Sequence, residues 1–202
     1  MIVKSKYVTA PRVSAGKASS ALKSHLKYIQ YRERDELKES CQDKHLFSKE
    51  HDHVERRAAH DEIMTERAGA IYYHRMVLSP SEEEPVSNWR DWTRDVMRDL
   101  ERHLGTELCW YGVVHQNTDN PHVHVVVRGT GASRETGEAE PIALTPAAFS
   151  VIKASGREHS EHEQYRQIQE LFKELDQAEQ TEHLFQQEYT LTHHSPSYEF
   201  DR

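Results

Sequence analysis

The chain is poor in the residues that would cross-link it or anchor it in a membrane. It has two cysteines, Cys41 and Cys109, among 202 residues, which is too few for a disulfide framework or a cysteine-rich zinc site. No apolar run approaches the roughly 20 residues that cross a bilayer, and the first residues lack the apolar core of a signal peptide. No P-loop glycine motif occurs, which argues against a helicase or primase. These absences predict a cytoplasmic protein without a membrane span.

Basic residues are in deficit overall, since the net charge is −8, but their distribution is uneven. Residues 1–34 carry eight Lys or Arg and one acid, a net charge of +7. Residues 135–202 carry five basic and fourteen acidic residues, a net charge of −9. The first segment could face phosphates, or both segments could be solvated faces, which is the commoner case. Charge alone therefore does not identify a nucleic-acid surface.

Hydrophobic periodicity predicts an α+β fold with a central antiparallel sheet and helices packed on one of its faces. Three successive valines at 125–127 imply burial on both faces and therefore a central strand. Strands are predicted at 2–13, 70–78, 108–115, 122–128 and 141–144. Helices are predicted from a Ser14 cap to about residue 30, from a Ser87 cap to Gly105, and at 146–155. Residues 31–68 are predicted to be broken helix and exposed loop, and residues 129–140 to be a turn-rich loop.

The C-terminal part is helical in pattern and strongly acidic. From about residue 159 to residue 189 its apolar residues are sparse, and the predicted anchors are Ile168, Leu171, Phe172, Leu175 and Leu184. We therefore predict a domain at 1–156 and an acidic helical extension at 157–202.

One tyrosine of the first helix lies away from its apolar stripe. The stripe comprises Ala18, Leu22, Leu26 and Ile29 at helical spacing. Tyr28 instead shares a face with Ser24, Ala21 and Lys17. A tyrosine that packs in the core would lie on the stripe, so the spacing predicts that Tyr28 is accessible.

Three histidines have the spacing of a metal site. Side chains at i and i+2 of a strand point to one face, so His122 and His124 are neighbours. The six residues 116–121 suit a hairpin that brings His115 beside them. Fifteen histidines make chance pairs common, but three unpaired imidazoles in an apolar strand would be costly to bury. The pattern predicts a three-histidine metal site with open positions. Asp119 could orient a ligand ring or simply form the turn.

These residues lie in a run, HQNTDNPHVHVVVRG at 115–129, that resembles the third motif of the HUH relaxases. That family includes plasmid mobilisation and T-DNA border nicking endonucleases. ALKSHLKYIQ at 21–30 resembles the family's first motif, which places a tyrosine after an amphipathic helix, and YYHRMVLSPSE at 72–82 resembles the second. The resemblance covers about residues 1–130 in the family's order. Where the family often has Asp two residues after its first His, this chain has Asn117.

The resemblance implies an HUH endonuclease-like fold and strand-specific nicking and rejoining of DNA at an origin of transfer. Tyr28 would form a 5′-phosphotyrosine, and a divalent metal, Mg²⁺ or Mn²⁺, would lie on His115, His122 and His124. Single-stranded DNA is the expected partner, together with accessory or coupling proteins. The expected DNA contacts are Arg12, Lys17, Lys23 and Lys27 along the backbone, and Ser79 or Ser81 at a flanking phosphate, although both serines also suit a strand end and loop cap.

Several alternatives remain open at this point. Tyr31, His25 and Tyr165 are rival nucleophiles, and the Y-x-x-x-Q pattern at Tyr165 resembles that of single-tyrosine HUH transposases. The chain could also be a rolling-circle replication initiator, a phosphodiesterase that uses water, or a non-catalytic DNA- or metal-binding module. A covalent protein–DNA adduct separates the last two from a relaxase.

Overall fold

The computed structural model describes residues 1–31, 45–65, 67–82, 84–116 and 120–193. The chain divides into two compact units, residues 1–161 and residues 162–202. The first unit contains both β-sheets. A search of the described residues finds no helix that combines the length and the apolar character needed to cross a membrane.

Strands and helices follow one another in α+β order, as predicted. The helices are α1 (Ala15–Tyr31), α2 (Arg56–Thr65), α3 (Trp89–Leu104) and α4 (Pro146–His193). The strands are β1 (Ile2–Thr9), β2 (Ile71–Ser79), β3 (Thr106–Glu107), β4 (Trp110–His115), β5 (His122–Arg128), β6 (Thr130–Ser133) and β7 (Ala139–Pro141). The main sheet is antiparallel with the order β1-β2-β5-β4, and a small sheet has the order β3-β6-β7. The predicted fold class is confirmed.

Helices cover both faces of the main sheet, so the prediction that they pack on one face was wrong. Strand alternation places Val126 on one face and its neighbours Val125 and Val127 on the other. Val126 belongs to a buried cluster with the predicted apolar stripe of α1 and with residues of α2. Val125 and Val127 belong to a second cluster with α3 and the beginning of α4. A central strand that is apolar on both faces needs a helical layer on each side.

The segment predicted as broken helix and exposed loop contributes to the core. Leu46 and Phe47 are fully buried, and Phe47 exchanges backbone hydrogen bonds with Gly112 of β4 at 3.0 and 2.8 Å. Isolated apolar residues in a charged stretch carry no periodic signal, so this non-local pairing was missed. Within residues 129–140, the chain forms β6 and begins β7 rather than a continuous loop. Residues 32–44 of the same predicted loop lie outside the described part of the chain.

Capping residues define the helix ends near the core. The Ser14 side chain accepts from the Lys17 amide at 3.5 Å, as predicted for the start of α1. The cap of α3 is Asn88, which accepts from the Asp91 amide, and the prediction of Ser87 was wrong by one residue because either side chain can cap. Gly105 ends α3 in the left-handed conformation with φ 68°, the conformation that favours glycine.

The C-terminal helical segment is a single helix in the structure. The break predicted after residue 155 does not occur, because Gly156 is helical and its carbonyl accepts from the Trp92 indole at 2.9 Å. Farther along α4, in the second unit, the apolar residues predicted as anchors are about half exposed: Ile168, Leu171, Phe172 and Leu175.

A first prediction concerns the packing of the Phe47 ring against Gly112 of β4. A Cβ added at Gly112 would lie 2.6 Å from Cζ of the Phe47 ring, so Gly112→Ala should lower the free energy of unfolding by about 1–3 kcal/mol through overpacking. Gly16→Ala is the matched control, since a Cβ there meets nothing within 4 Å, and it should leave stability unchanged or slightly raised. Urea denaturation measures both variants. Equal stabilities would contradict the described packing.

Candidate metal centre

The three predicted histidines meet where β4 ends and β5 begins. His115 is directly opposite His122 in the strand register, and His124 follows two residues later on the same face. Three ring nitrogens, one from each histidine, lie within 4.8 Å of one another. The Nε2 atoms of His122 and His124 are 3.2 Å apart. The structure therefore brings together the side chains that the sequence pattern selected.

The donor set fits a divalent cation. Metal–nitrogen bonds to histidine are about 2.0–2.1 Å long. Two nitrogens 3.2 Å apart would then subtend an angle of about 100° at a shared ion, between the octahedral and tetrahedral values. Three imidazoles from two adjacent strands leave other coordination positions open toward the surface, the arrangement of a site that binds a substrate oxygen.

Backbone carbonyls orient two of the rings. A carbonyl oxygen can only accept a hydrogen bond, so the ring nitrogen facing it must carry the proton. His122 Nδ1 donates to the Asn120 carbonyl at 2.8 Å, which places the lone pair on Nε2. His115, which is buried, donates from Nε2 to the Ile29 carbonyl at 2.6 Å, which places its lone pair on Nδ1. These bonds fix the tautomers of both rings, as metal sites require. The sequence considered Asp119 for this orienting function, and Asp119 lies outside the described residues.

Helix α1 places Tyr28 close to the histidines. The ring centroid of His25 lies 6.2 Å from that of His124 and 6.5 Å from that of Tyr28. Tyr28 is 45% exposed, as its position off the stripe predicts. Burial, with a smaller contribution from the positive charge of Arg75, lowers the pKa of His25 to about 4. His25 is therefore neutral at pH 7 and adds no charge that would repel a cation.

The rival Tyr31 lies at the last position of α1 and is 65% exposed. The guanidinium of Arg56 lies 5.5 Å from the centroid of its ring, so this tyrosine faces α2. Tyr165 lies on α4 in the second unit.

The cations predicted to contact DNA are exposed but dispersed. Arg12, Lys17, Lys23 and Lys27 are all exposed. Lys23 lies about 140° around the helix from Tyr28, and its charge acts on Asp61 of α2. Arg12 follows β1, at the end of the sheet away from the histidines, because Thr9 pairs with Ile71. Only Lys17 of the four shares the face of Tyr28.

The two predicted serines have local partners. The Ser79 hydroxyl donates to the Pro121 carbonyl at 3.0 Å, and this hydrogen bond links the end of β2 to the β4–β5 loop just before His122. The amide of Ser81 donates to the Glu84 carboxylate at 2.9 Å. Both contacts correspond to the strand-end and loop-cap alternative that the sequence left open.

Sequence reasoning missed three cations on the histidine face of the sheet. Lys4 is opposite Val77, and Val77 is opposite His124. Lys4 therefore lies in the same cross-strand row as His124. Lys6 is opposite Arg75 in the next row on the same face. Alternation of Lys4 and Lys6 was visible in the sequence, but only the register of β1 against β2 shows that they share a face with the histidines.

The sheet with its histidine cluster defines an HUH-type nuclease fold. Comparison with protein families gives a match to Relaxase: MobA/VirD2-like, nuclease domain, over residues 28–137, which is more than half of the chain. The chain belongs to this relaxase family, whose members nick DNA. The matched region begins at Tyr28 and contains His115, His122 and His124. Comparison with curated proteins gives no match.

A second prediction concerns metal binding at the cluster. The wild-type protein should bind one Mn²⁺ per chain, and its thermal stability should rise with the logarithm of the Mn²⁺ concentration above Kd. His122→Ala combined with His124→Ala removes two of three ligands and should abolish both effects. Isothermal titration calorimetry and thermal unfolding measure them. His103→Ala, an exposed histidine of α3, is the control and should bind as the wild type does. Undiminished Mn²⁺ binding by the double variant would locate the ion elsewhere.

Proposed function

We propose that this protein is a metal-dependent relaxase that cuts one DNA strand at a specific site and rejoins it through a 5′-phosphotyrosine on Tyr28. The observation that carries the proposal is the arrangement of Tyr28, His25 and the three-histidine cluster, in which an exposed phenol lies one ring away from the ligands. Membership of the relaxase family supports DNA nicking in general terms. The expected substrate is single-stranded DNA at an origin of transfer.

Cleavage of a phosphodiester requires stabilisation of negative charge. A phosphodiester resists nucleophiles because its negative oxygens repel them, and charge increases during attack. A divalent cation, Mg²⁺ or Mn²⁺, held by His115, His122 and His124 would bind a non-bridging oxygen and offset that charge. The carbonyls of Ile29 and Asn120 hold the rings in the required tautomers before substrate arrives, so little reorganisation is needed at the moment of reaction.

Tyr28 would supply the nucleophile. Its phenolic oxygen forms a bond to phosphorus, the bond from phosphorus to the 3′ oxygen breaks, and the phenolic proton is released while the 3′ oxygen gains one. The phosphate ester is preserved in the phosphotyrosine, so the reverse reaction can reseal the strand without another energy source. Placement on a rigid helix whose apolar stripe is fully buried supports the positioning that in-line attack requires.

His25 is the strongest rival nucleophile, because its neutral ring lies between Tyr28 and His124. The family match covers residues 28–137, which include both Tyr28 and Tyr31. Partial burial of His25 favours the more exposed phenol. The same geometry would serve a rolling-circle replication initiator, and the sequence of the cleaved strand would separate that function from transfer.

We also propose that the acidic C-terminal segment contacts accessory or coupling proteins rather than DNA. Residues 157–202 carry four basic and eleven acidic residues, a net charge of −7, which would repel phosphates. Among the cations expected from the sequence, we keep Lys17 as a DNA contact because it shares the face of Tyr28.

A third prediction tests the nucleophile. Incubation of the wild-type protein with labelled single strands spanning the cognate origin and Mn²⁺ should give a protein–DNA adduct that survives denaturation. Tyr28→Phe removes one oxygen from an exposed ring, so it should abolish the adduct while changing the melting temperature little. Tyr31→Phe is the matched control and should form the adduct normally.

Mass-spectrometric mapping of the trapped adduct distinguishes the outcomes. A nucleotide on Tyr28 supports the proposal, whereas a nucleotide on His25, Tyr31 or Tyr165 corrects the residue and keeps the enzyme class. Cleavage without any adduct would identify water as the nucleophile and reject the relaxase mechanism.

A further inference from the structure

Arg75 is a half-buried cation in the middle of the main sheet. It lies on β2, and its Nε atom is buried with no hydrogen-bond partner. Across the part of the chain that the structure describes, no carboxylate forms an ion pair with it. A buried guanidinium nitrogen without a partner is costly, and arginine cannot relieve that cost by losing its proton. An anion bound beside this half-buried side chain would offset the cost.

The strand register makes the cost larger. Lys6 on β1 is directly opposite Arg75, and like charges at opposed positions destabilise an antiparallel pair. Lys4 lies two residues away on the same face, and both lysines are exposed. β1 is an edge strand, so the surface beside Arg75 is open on the side of the lysines. Lys4 lies in one cross-strand row, and Lys6 and Arg75 lie in the adjacent one. We call these three residues together the cationic row.

The cationic row adjoins the proposed active site. Arg75 and His124 share one face of the sheet, because Val77, two residues after Arg75, is opposite His124. His25 contacts the rings of His124 and Tyr28. Arg75 is opposite Val126 of β5, at the strand spacing of about 4.8 Å. His124 is two residues before Val126 on the same face, so Arg75 and His124 are diagonal neighbours. The row thus extends from the histidine cluster to the free edge of the sheet.

We propose that Arg75 and Lys6 bind consecutive phosphates of the DNA strand, with Arg75 on the phosphate beside the cleaved bond and Lys6 on the next one toward the sheet edge. A guanidinium matches phosphate because two parallel N–H groups can donate to two oxygens. A strand on this path crosses β2 and β1, away from Arg12, Lys23 and Lys27. The inference rests on the proposed function for the identity of the anion.

Salt dependence of binding to oligo(dT), measured in EDTA so that no strand is cut, tests the row independently of cleavage. Each lost phosphate contact should lower the slope of log affinity against log salt by about 0.7 for single strands. The Arg75→Gln, Lys6→Gln double variant should therefore lower it by about 1.4 and weaken binding at low salt by about tenfold or more. Arg98→Gln with Arg102→Gln changes the net charge equally on α3, against the other face, and should leave the slope unchanged.

A phosphate scan locates the contact. In an origin strand that the wild type cleaves, phosphates are replaced one at a time by neutral methylphosphonates. Arg75→Gln should weaken binding to every strand except the one neutralised at the phosphate that Arg75 contacts, which should lie next to the cleaved bond. A merely structural role for Arg75 would lower affinity equally at all positions. If Arg75→Gln does not fold, Arg75→Lys and Lys6→Gln are used, and Lys6→Gln alone should lower the slope by about 0.7.

The outcomes separate the two proposals. An unchanged salt slope in the double variant, or a phosphate scan without any position of coupling, overturns the cationic row even if the wild type cuts DNA. Failure of the wild type to cut any origin strand rejects the proposed function, while the oligo(dT) slope still decides whether the row binds phosphates.

Discussion

The pairing of β4 with β5 is the constraint on which the site depends. Its register puts His115 opposite His122 and leaves His124 on the same face. Strand side chains alternate with a period of two, so a slip of one residue would turn a histidine strand over and separate the ligands. The same alternation sends Val123, Val125 and Val127 into the cluster with α3 and α4. Burial of those valines therefore stabilises the register that brings the three histidines together.

Helix α1 holds Tyr28 beside the histidine cluster through packing and one hydrogen bond. Its buried stripe fixes its rotation on the sheet, which leaves Tyr28 and His25 on the flank toward the histidines. The bond from His115 to the Ile29 carbonyl joins the end of β4 to the last turn of the helix. A single contact thus orients the His115 ring and connects it to the residue beside Tyr28.

Local patterns predicted what depends on local spacing. The i and i+2 histidines, the stripe of α1, the left-handed Gly105 and the central position of β5 all follow from periods of two or 3.6 residues. Pairings distant in sequence were not predictable in this way. The contact of Phe47 with Gly112, the helical layer on each sheet face and the opposition of Lys6 to Arg75 depend on strand order and register. The basic N-terminal segment was visible from composition, but which of its cations face the histidines was not.

The most direct test of this account is the count of histidine nitrogens on the bound metal. Pulsed electron paramagnetic resonance of Mn²⁺ in the wild-type protein detects nitrogen nuclei coupled to the ion. The account predicts three histidine nitrogens, reduced in number by Ala at His115, His122 or His124. Mn²⁺ coordinated only by water and carboxylate oxygens, with no nitrogen coupling, would contradict the account, because the β4–β5 register would then have no catalytic consequence.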